Sequence, residues 1–380
     1  MRIFNKILCC IFVIIFSFNI KINANEVKIS SPAAIVMEAS TGRVLYAKNE
    51  KSERKIASTT KLMTAMVAID NCNLEDLVEV SKNAAAVGGS EVGIKAGDKI
   101  TLKALLYGLM LESGNDCAVA IAEHVSGTQE EFAKLMNEKA LTLGAKDTNY
   151  TNAHGLDTEN NHCTAYDLAL IACEVLKYPD ILKIMGTEQI NIKMGDSTKY
   201  LANTNRLLKS YKYCIGGKTG FTNGANRCIV TFAKKDDMQI VTVVLGSETT
   251  DIRFSECRKL MEYGINTYSL VDISEYMNWY INIPVYKGAI NNYERYITEN
   301  IIVPLKEGEL EQIYVKQTIL PVIRTPMYKG NILGDIAMYI GDEKIYETEV
   351  ILDMELRKNN VWYYFTHGIK DMFTLDLELF

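Results

Sequence analysis

Ala57-Ser58-Thr59-Thr60-Lys61-Leu62-Met63-Thr64-Ala65-Met66-Val67-Ala68-Ile69 sets a serine and a lysine three residues apart at the head of an apolar run. On a helix the two share a face. Beyond Lys61 nearly every position is apolar on all sides, which predicts a helix buried in a core. A lysine at the mouth of such a helix loses hydration, and desolvation disfavours its charged form. Once neutral, it can take the proton of a neighbouring serine hydroxyl and make that serine a nucleophile. The same spacing also fits a plain N-cap at Ser58 with Lys61 solvated in the first turn. Ser-x-x-Lys fixes only two residues, so the chemistry needs partners elsewhere.

Upstream, residues 33–37 and 43–47 have strand character on either side of the turn cluster Ala39-Ser40-Thr41-Gly42, a hairpin leading into the Ser58 helix. Arg2 and Lys6, the apolar run 7–18 and Ile22-Asn23-Ala24 predict a signal peptide over residues 1–24 and a secreted chain starting near Asn25. The alternative is a retained N-terminal anchor. Cys9-Cys10 lacks the preceding small residues of a lipobox. Beyond the leader, Cys72, Cys117, Cys163, Cys173, Cys214, Cys228 and Cys257 are irregularly spaced with no C-x-x-C pair. That pattern indicates neither a disulfide framework nor a zinc site. Cys117 and Cys173 read as small buried hydrophobes. Unpaired cysteines in an exported chain suggest an envelope that is not strongly oxidising.

At 380 residues the chain is long enough for two domains, and its 48% hydrophobic content supplies their cores. A net charge of -6 with no basic block argues against nucleic acid as partner. Residues 102–127 are apolar and helical but interrupted by Glu112-Ser113-Gly114-Asn115-Asp116: either an inter-helix turn or a polar cluster delivered into a site by buried helices. Helices over 130–143 and 166–176 flank a polar loop, 150–163, containing His154, Gly155 and His162. Ile215-Gly216-Gly217-Lys218-Thr219-Gly220-Phe221-Thr222 follows, with glycines that allow close backbone approach or a bulged edge strand. No phosphate-loop frame is present, and strands over 228–233 and 239–245 come next. A helix over 252–268 closes this part. After Ser269 the texture turns to short alternating runs at 280–286, 301–305, 313–323 and 335–340, an all-β module.

The tail 361–380 is rich in apolar residues. Trp362, Phe365, Ile369, Met372 and Phe373 could form one helical face for peripheral membrane contact, while Asp371, Asp376 and Glu378 oppose docking on anionic lipid.

Ser58-x-x-Lys61, Ser113-Gly114-Asn115 and Lys218-Thr219-Gly220 occur in this order behind a leader. Together they form the trio of penicillin-binding proteins and class A β-lactamases, with Gly114 where the common form of the second element has Asp. The chain resembles the low-molecular-mass penicillin-binding proteins of the penicillin-binding protein 5 type, the serine D-alanyl-D-alanine carboxypeptidases. The resemblance extends over residues 113–124, over Asn152-Ala153-His154-Gly155-Leu156-Asp157, over residues 164–169, to Thr222, and to the β-rich stretch with Pro326 and Gly330 to Gly334. Asn226-Arg227 departs from the family's usual Gly-Tyr, and the tail lacks a basic amphipathic face.

The resemblance implies an α+β fold: a β-lactamase/transpeptidase-like domain over 25–270, an antiparallel sheet flanked by helices, then a β-sandwich domain over 278–360. It implies removal of the terminal D-alanine from peptidoglycan stem peptides outside the cytoplasmic membrane, in cell wall biogenesis and cell shape, with β-lactam antibiotics as covalent inhibitors and no metal, nucleotide or other cofactor. Ser58 is the implied nucleophile and Lys61 its base. Ser113 is the implied proton shuttle, and Asn115 orients Lys61 and the substrate amide. Lys218 and Thr219 bind the terminal carboxylate, with Arg253 assisting. Gly220 belongs to the substrate-binding strand, where glycine permits close backbone approach to the ligand, and the N–H groups of Ser58 and Phe221 form an oxyanion hole. His154 and His162 fit loop packing better than catalysis, and Asp116 fits a helix cap. The alternatives are a β-lactamase, against which no Glu-x-x-Leu-Asn segment lies between Asn115 and Lys218, and a wall-binding or β-lactam-sensing protein that acylates without turnover.

Overall fold

The computed structural model describes residues 27–274, 279–297, 300–359 and 365. The expected leader, and the tail apart from Phe365, lie outside the described residues. In chain order, β1 (Ala33–Glu38) and β2 (Val44–Lys48) form the expected hairpin, and a 3-10 turn (Ala57–Thr60) runs directly into α1 (Lys61–Asn71). The short hairpin of β3 (Leu77–Glu79) and β4 (Lys99–Thr101) precedes α2 (Leu102–Leu111), α3 (Asn115–Ser126), α4 (Gln129–Thr142), α5 (Ala165–Val175) and α6 (Pro179–Met185). A second hairpin, β5 (Gln189–Met194) with β6 (Ser197–Ala202), and the single-turn α7 (Leu207–Ser210) lead to three long strands. These are β7 (Cys214–Thr222), β8 (Asn226–Lys235) and β9 (Met238–Ser247), and α8 (Thr250–Thr267) closes the domain.

One antiparallel five-stranded sheet, in the order β2-β1-β9-β8-β7, divides this domain into two layers. Side chains alternate across it with the period of a strand. Ile35, Met37, Val230, Phe232, Val241 and Val243 pack against the layer of α1 to α6. Ala34, Val36, Ile229, Ile240 and Val244 pack against Phe254, Cys257, Leu260 and Met261 of α8. Because both faces are covered, β1 is apolar from Ala33 to Met37, and all six of its residues, Glu38 included, are buried. Thr101, Thr128, Thr164 and Thr249 cap α2, α4, α5 and α8, each accepting a first-turn N–H. Such caps contribute about 1 kcal/mol apiece.

The second domain contains β10 (Ser269–Asp272), β11 (Trp279–Tyr286), β12 (Asn292–Ile297), β13 (Ile302–Leu305), β14 (Ile313–Ile319), β15 (Ile323–Arg324), β16 (Ile332–Ile340) and β17 (Glu343–Ile351). They form the sheets β12-β11-β15, β14-β16-β17 and β10-β13 around one apolar cluster that includes Ile281, Ile283, Val303, Ile336 and Val350. The run expected at 313–323 ends at Ile319, and Ile323–Arg324 turns away to pair with β11. The polar edge strands β12 and β17 carry too many charges to stand out as strands in the sequence.

The two domains share a seam. In β10, Leu270 packs with the α8 layer and Val271 with the second core, so the boundary expected at residue 270 runs through a strand. Arg43, in the β1–β2 turn, is buried across the seam. It grips Glu309 with Nη1 at 2.8 Å and Nη2 at 3.0 Å, and Glu343 with Nε at 2.9 Å. It also donates to the Pro304 carbonyl and lies 5.5 Å over the Tyr268 ring.

Candidate active site

The 3-10 turn begins at Ala57, whose φ of 48° is left-handed and strained for a residue with a Cβ. This places Ser58 so that its Oγ lies 2.9 Å from Lys61 Nζ. Ser58 thus sits on the turn, not on α1, and Lys61 opens the helix. Lys61 is completely buried, as the apolar run predicts. Its Nζ donates to Asn115 Oδ1 at 2.7 Å and to the His154 carbonyl at 2.7 Å. Burial first, and the charge of Lys218 second, push its pKa well below that of a free lysine. A neutral amine has two N–H bonds and one lone pair. Asn115 Oδ1 and the His154 carbonyl can only accept, so they take both N–H bonds and leave the lone pair facing the Ser58 hydroxyl.

Each partner of Lys61 is itself fixed. Ser113, at the break between α2 and α3, has a left-handed φ of 65° that turns the chain after one helix so that the next begins at Asn115. The interruption is therefore an inter-helix turn that also delivers polar groups into a buried site. Asn115 Nδ2 donates to the Gly88 carbonyl at 2.8 Å, which settles its amide orientation. Gly89 has a φ of 80°, and a Cβ there would fall 2.6 Å from Asn115 Nδ2. Asp116 accepts from Cys117 N–H, as a cap would, and also from the N–H groups of Val92, Gly93 and Ile94 at 3.1, 2.8 and 3.2 Å. It does more than the expected capping: it binds the 88–94 loop to the motif. The buried Cys117 thiol is pushed well up by burial and then by Asp116, so it is no nucleophile. Asn152 Oδ1 accepts from His154 N–H and Gly155 N–H, forming the turn that aims the His154 carbonyl. Gly155 has a φ of 86°, and a Cβ there would lie 2.0 Å from the Ala57 carbonyl oxygen. The His154 imidazole accepts from Leu156 N–H, and burial followed by Lys61 lowers it to about 4. It is a neutral packing group near neutral pH. His162 Nε2 lies 3.9 Å from Glu53.

The third segment lies on β7, an edge strand with β8 on one side only. Lys218 pairs with Val230, whose side chain joins the helical-layer core, so Lys218 faces the same way. It is buried, with Nζ donating to the Thr219 carbonyl at 2.9 Å. Burial, then Arg253, lowers it to about 7. Thr219 Oγ1 lies 2.7 Å from Thr204 Oγ1. Gly220 passes so close to the 3-10 turn that a Cβ would sit 2.9 Å from the Ser58 nitrogen. Phe221 is 52% exposed with its ring 4.8 Å from the Arg227 guanidinium. Arg253 is buried, donates to the Gly220 carbonyl at 3.3 Å, and is lowered by burial to about 10. Its Nε has no hydrogen-bond partner among the described residues.

All three motifs therefore converge. Among the described residues, neither Lys218 nor Arg253 has a carboxylate partner. Two buried cations without a counter-charge are costly, and an anionic ligand would offset that cost. The His154 carbonyl, Thr204 and the 88–94 loop escaped the sequence reading; Gly155 and the Gly88-Gly89 pair were the available signals.

A family model described as D-alanyl-D-alanine carboxypeptidase matches residues 20–249, and one for the penicillin-binding protein 5 C-terminal domain matches residues 278–358. The chain is 33% identical over 341 residues to the D-alanyl-D-alanine carboxypeptidase DacF of Bacillus subtilis, covering 88% of each chain. It is 31% identical over 338 residues to DacC of Escherichia coli, covering 85% of this chain and 84% of that one. The crystal structure of DacD from Francisella tularensis superposes with a TM-score of 0.69 at 26% identity, over 87% of this chain and 95% of the other.

Proposed function

The chain belongs to the D-alanyl-D-alanine carboxypeptidase family, and from that premise we propose how its residues divide one hydrolytic reaction. The protein is a serine-type D-alanyl-D-alanine carboxypeptidase. Ser58 Oγ attacks the carbonyl of the penultimate D-alanine in a peptidoglycan stem peptide, and its proton passes to the lone pair of Lys61 Nζ. The N–H groups of Ser58 and Phe221 hold the developing oxyanion. Ser113 relays a proton to the leaving D-alanine nitrogen as the C–N bond breaks and the acyl-enzyme forms. Asn115 fixes the Lys61 amine and meets the substrate amide. Lys218 and Thr219 bind the terminal carboxylate. Arg253 adds positive charge from behind the strand and holds the Gly220 carbonyl. Water then attacks the ester, Lys61 accepts its proton, and Ser58 is regenerated. β-Lactams acylate the same serine.

The observation that carries this reading is the 2.9 Å approach of a fully buried lysine amine to Ser58 Oγ. The leader-like makeup of residues 1–24 supports a reaction outside the cytoplasmic membrane, and the stem-peptide substrate supports a part in cell wall biogenesis. Among the described residues no helix is long and apolar enough to cross a membrane. The test is intact-mass analysis after penicillin exposure, paired with D-alanine release from a diacyl-Lys-D-Ala-D-Ala peptide. Ser58→Ala should abolish both adduct and release; an adduct that persists in that variant removes Ser58 as the nucleophile.

A further inference from the structure

The ends of α1 and α3 that point away from the active site also converge. Cys72 is the C-cap of α1, Asp76 lies in the turn leading to β3, and His124 is in the last turn of α3. Their Sγ, carboxylate oxygen and imidazole nitrogen lie within 4.8 Å of one another. We propose that these residues bind a transition-metal ion, zinc first, through the Cys72 thiolate, the Asp76 carboxylate and the His124 imidazole, with water in the fourth position.

The donor set selects the metal. A thiolate with an imidazole suits zinc, cobalt or copper, whereas calcium and magnesium want oxygen ligands. Tetrahedral bonds of about 2.0–2.3 Å separate donor atoms by about 3.3–3.7 Å. The cluster, whose donors lie within 4.8 Å of one another, therefore closes by up to about 1.5 Å on binding, which the exposed His124 ring can supply by rotation. Asp76 is already oriented: its Oδ2 accepts from Asn73 N–H at 2.8 Å, leaving the other oxygen for the ion. The carbonyl ends of α1 and α3 add partial negative charge there. Binding displaces the thiol proton to solvent, so no redox partner is involved. An eleven-residue helix spans about 16 Å, so the ion touches no substrate. It ties together the far ends of two helices whose near ends meet in the Lys61–Asn115 hydrogen bond.

The test uses the whole protein stripped with a chelator and titrated with Co²⁺, then Zn²⁺. Wild type should take up one equivalent of Co²⁺ with a near-ultraviolet thiolate-to-cobalt charge-transfer band, and Zn²⁺ should displace it and raise Tm. Cys72→Ser should abolish the band. His124→Ala, at an exposed position, removes a ligand and should weaken binding by at least the roughly 10–100-fold that loss of a group merely supporting a ligand costs, while His162→Ala leaves it unchanged. No charge-transfer band in wild type, or equal binding by Cys72→Ser or His124→Ala, overturns the proposal. These readouts are independent of peptidase activity, so the metal site and the catalytic reading can fail separately.

Discussion

The two domains treat buried charge in opposite ways. The first encloses Lys61, Lys218 and Arg253 without a carboxylate partner among the described residues. The second has an apolar core, and the buried charged residue it presents at the seam, Glu309, is matched bidentately by Arg43. Unmatched buried cations destabilise a fold and depress lysine pKa values; a matched pair fixes geometry. The contrast separates a domain strained for chemistry from one arranged for attachment.

The strongest way to break this contrast is at Lys61. Lys61→Ala should slow penicillin labelling by about 10²–10⁴-fold, while thermal unfolding shows little loss of stability. Wild-type labelling in that variant would mean the buried amine is not the base. Next is Arg43→Ala, which takes the bidentate guanidinium from buried Glu309 and leaves it only the more exposed Lys306 at 3.4 Å. It should cost about 3–5 kcal/mol in urea unfolding with D-alanine release per folded molecule unchanged. An Arg43→Met/Glu309→Leu pair should recover part of the loss. A smaller effect sharpens the role of Lys218. In the proposed reaction it holds a carboxylate only when charged, and burial lowers its pKa to about 7. Rising pH therefore removes the charge, and kcat/KM should fall about tenfold per unit well above that value. In Lys218→Arg, whose guanidinium keeps its proton, that falling limb should move beyond the accessible range; an unmoved limb would assign it to another group. Smallest is Tyr296→Ala. Tyr296 is exposed on β12, with its ring 5.0 Å from Tyr280 on β11. Its loss should cost at most about 1 kcal/mol and leave D-alanine release unaltered.

Much of this was legible because the site breaks ordinary rules of composition. A lysine beginning an apolar helix, a polar cluster splitting residues 102–127 and glycines around Lys218 all stand out against their surroundings. The central sheet was legible from its unbroken apolar runs, as was the β texture after Ser269. Backbone groups were not, because the His154 carbonyl that completes the Lys61 environment has no side-chain signature. Asp116 resembled any helix cap until its contacts to Val92, Gly93 and Ile94 were visible. Arg43 and Glu309 are 266 positions apart, and only the fold relates them. Cys72, Asp76 and His124 meet for the same reason, with no spacing that marks them.

The Arg43 clamp sits beside β2, and the Lys218 strand is the opposite margin of the same sheet. Four strand spacings, about 19 Å, separate where the trailing module is fastened from the strand proposed to receive the peptide. Whatever holds the module can bear load without crowding the cleft. A rigid slab between handle and blade lets this hydrolase be tethered at one side and work at the other.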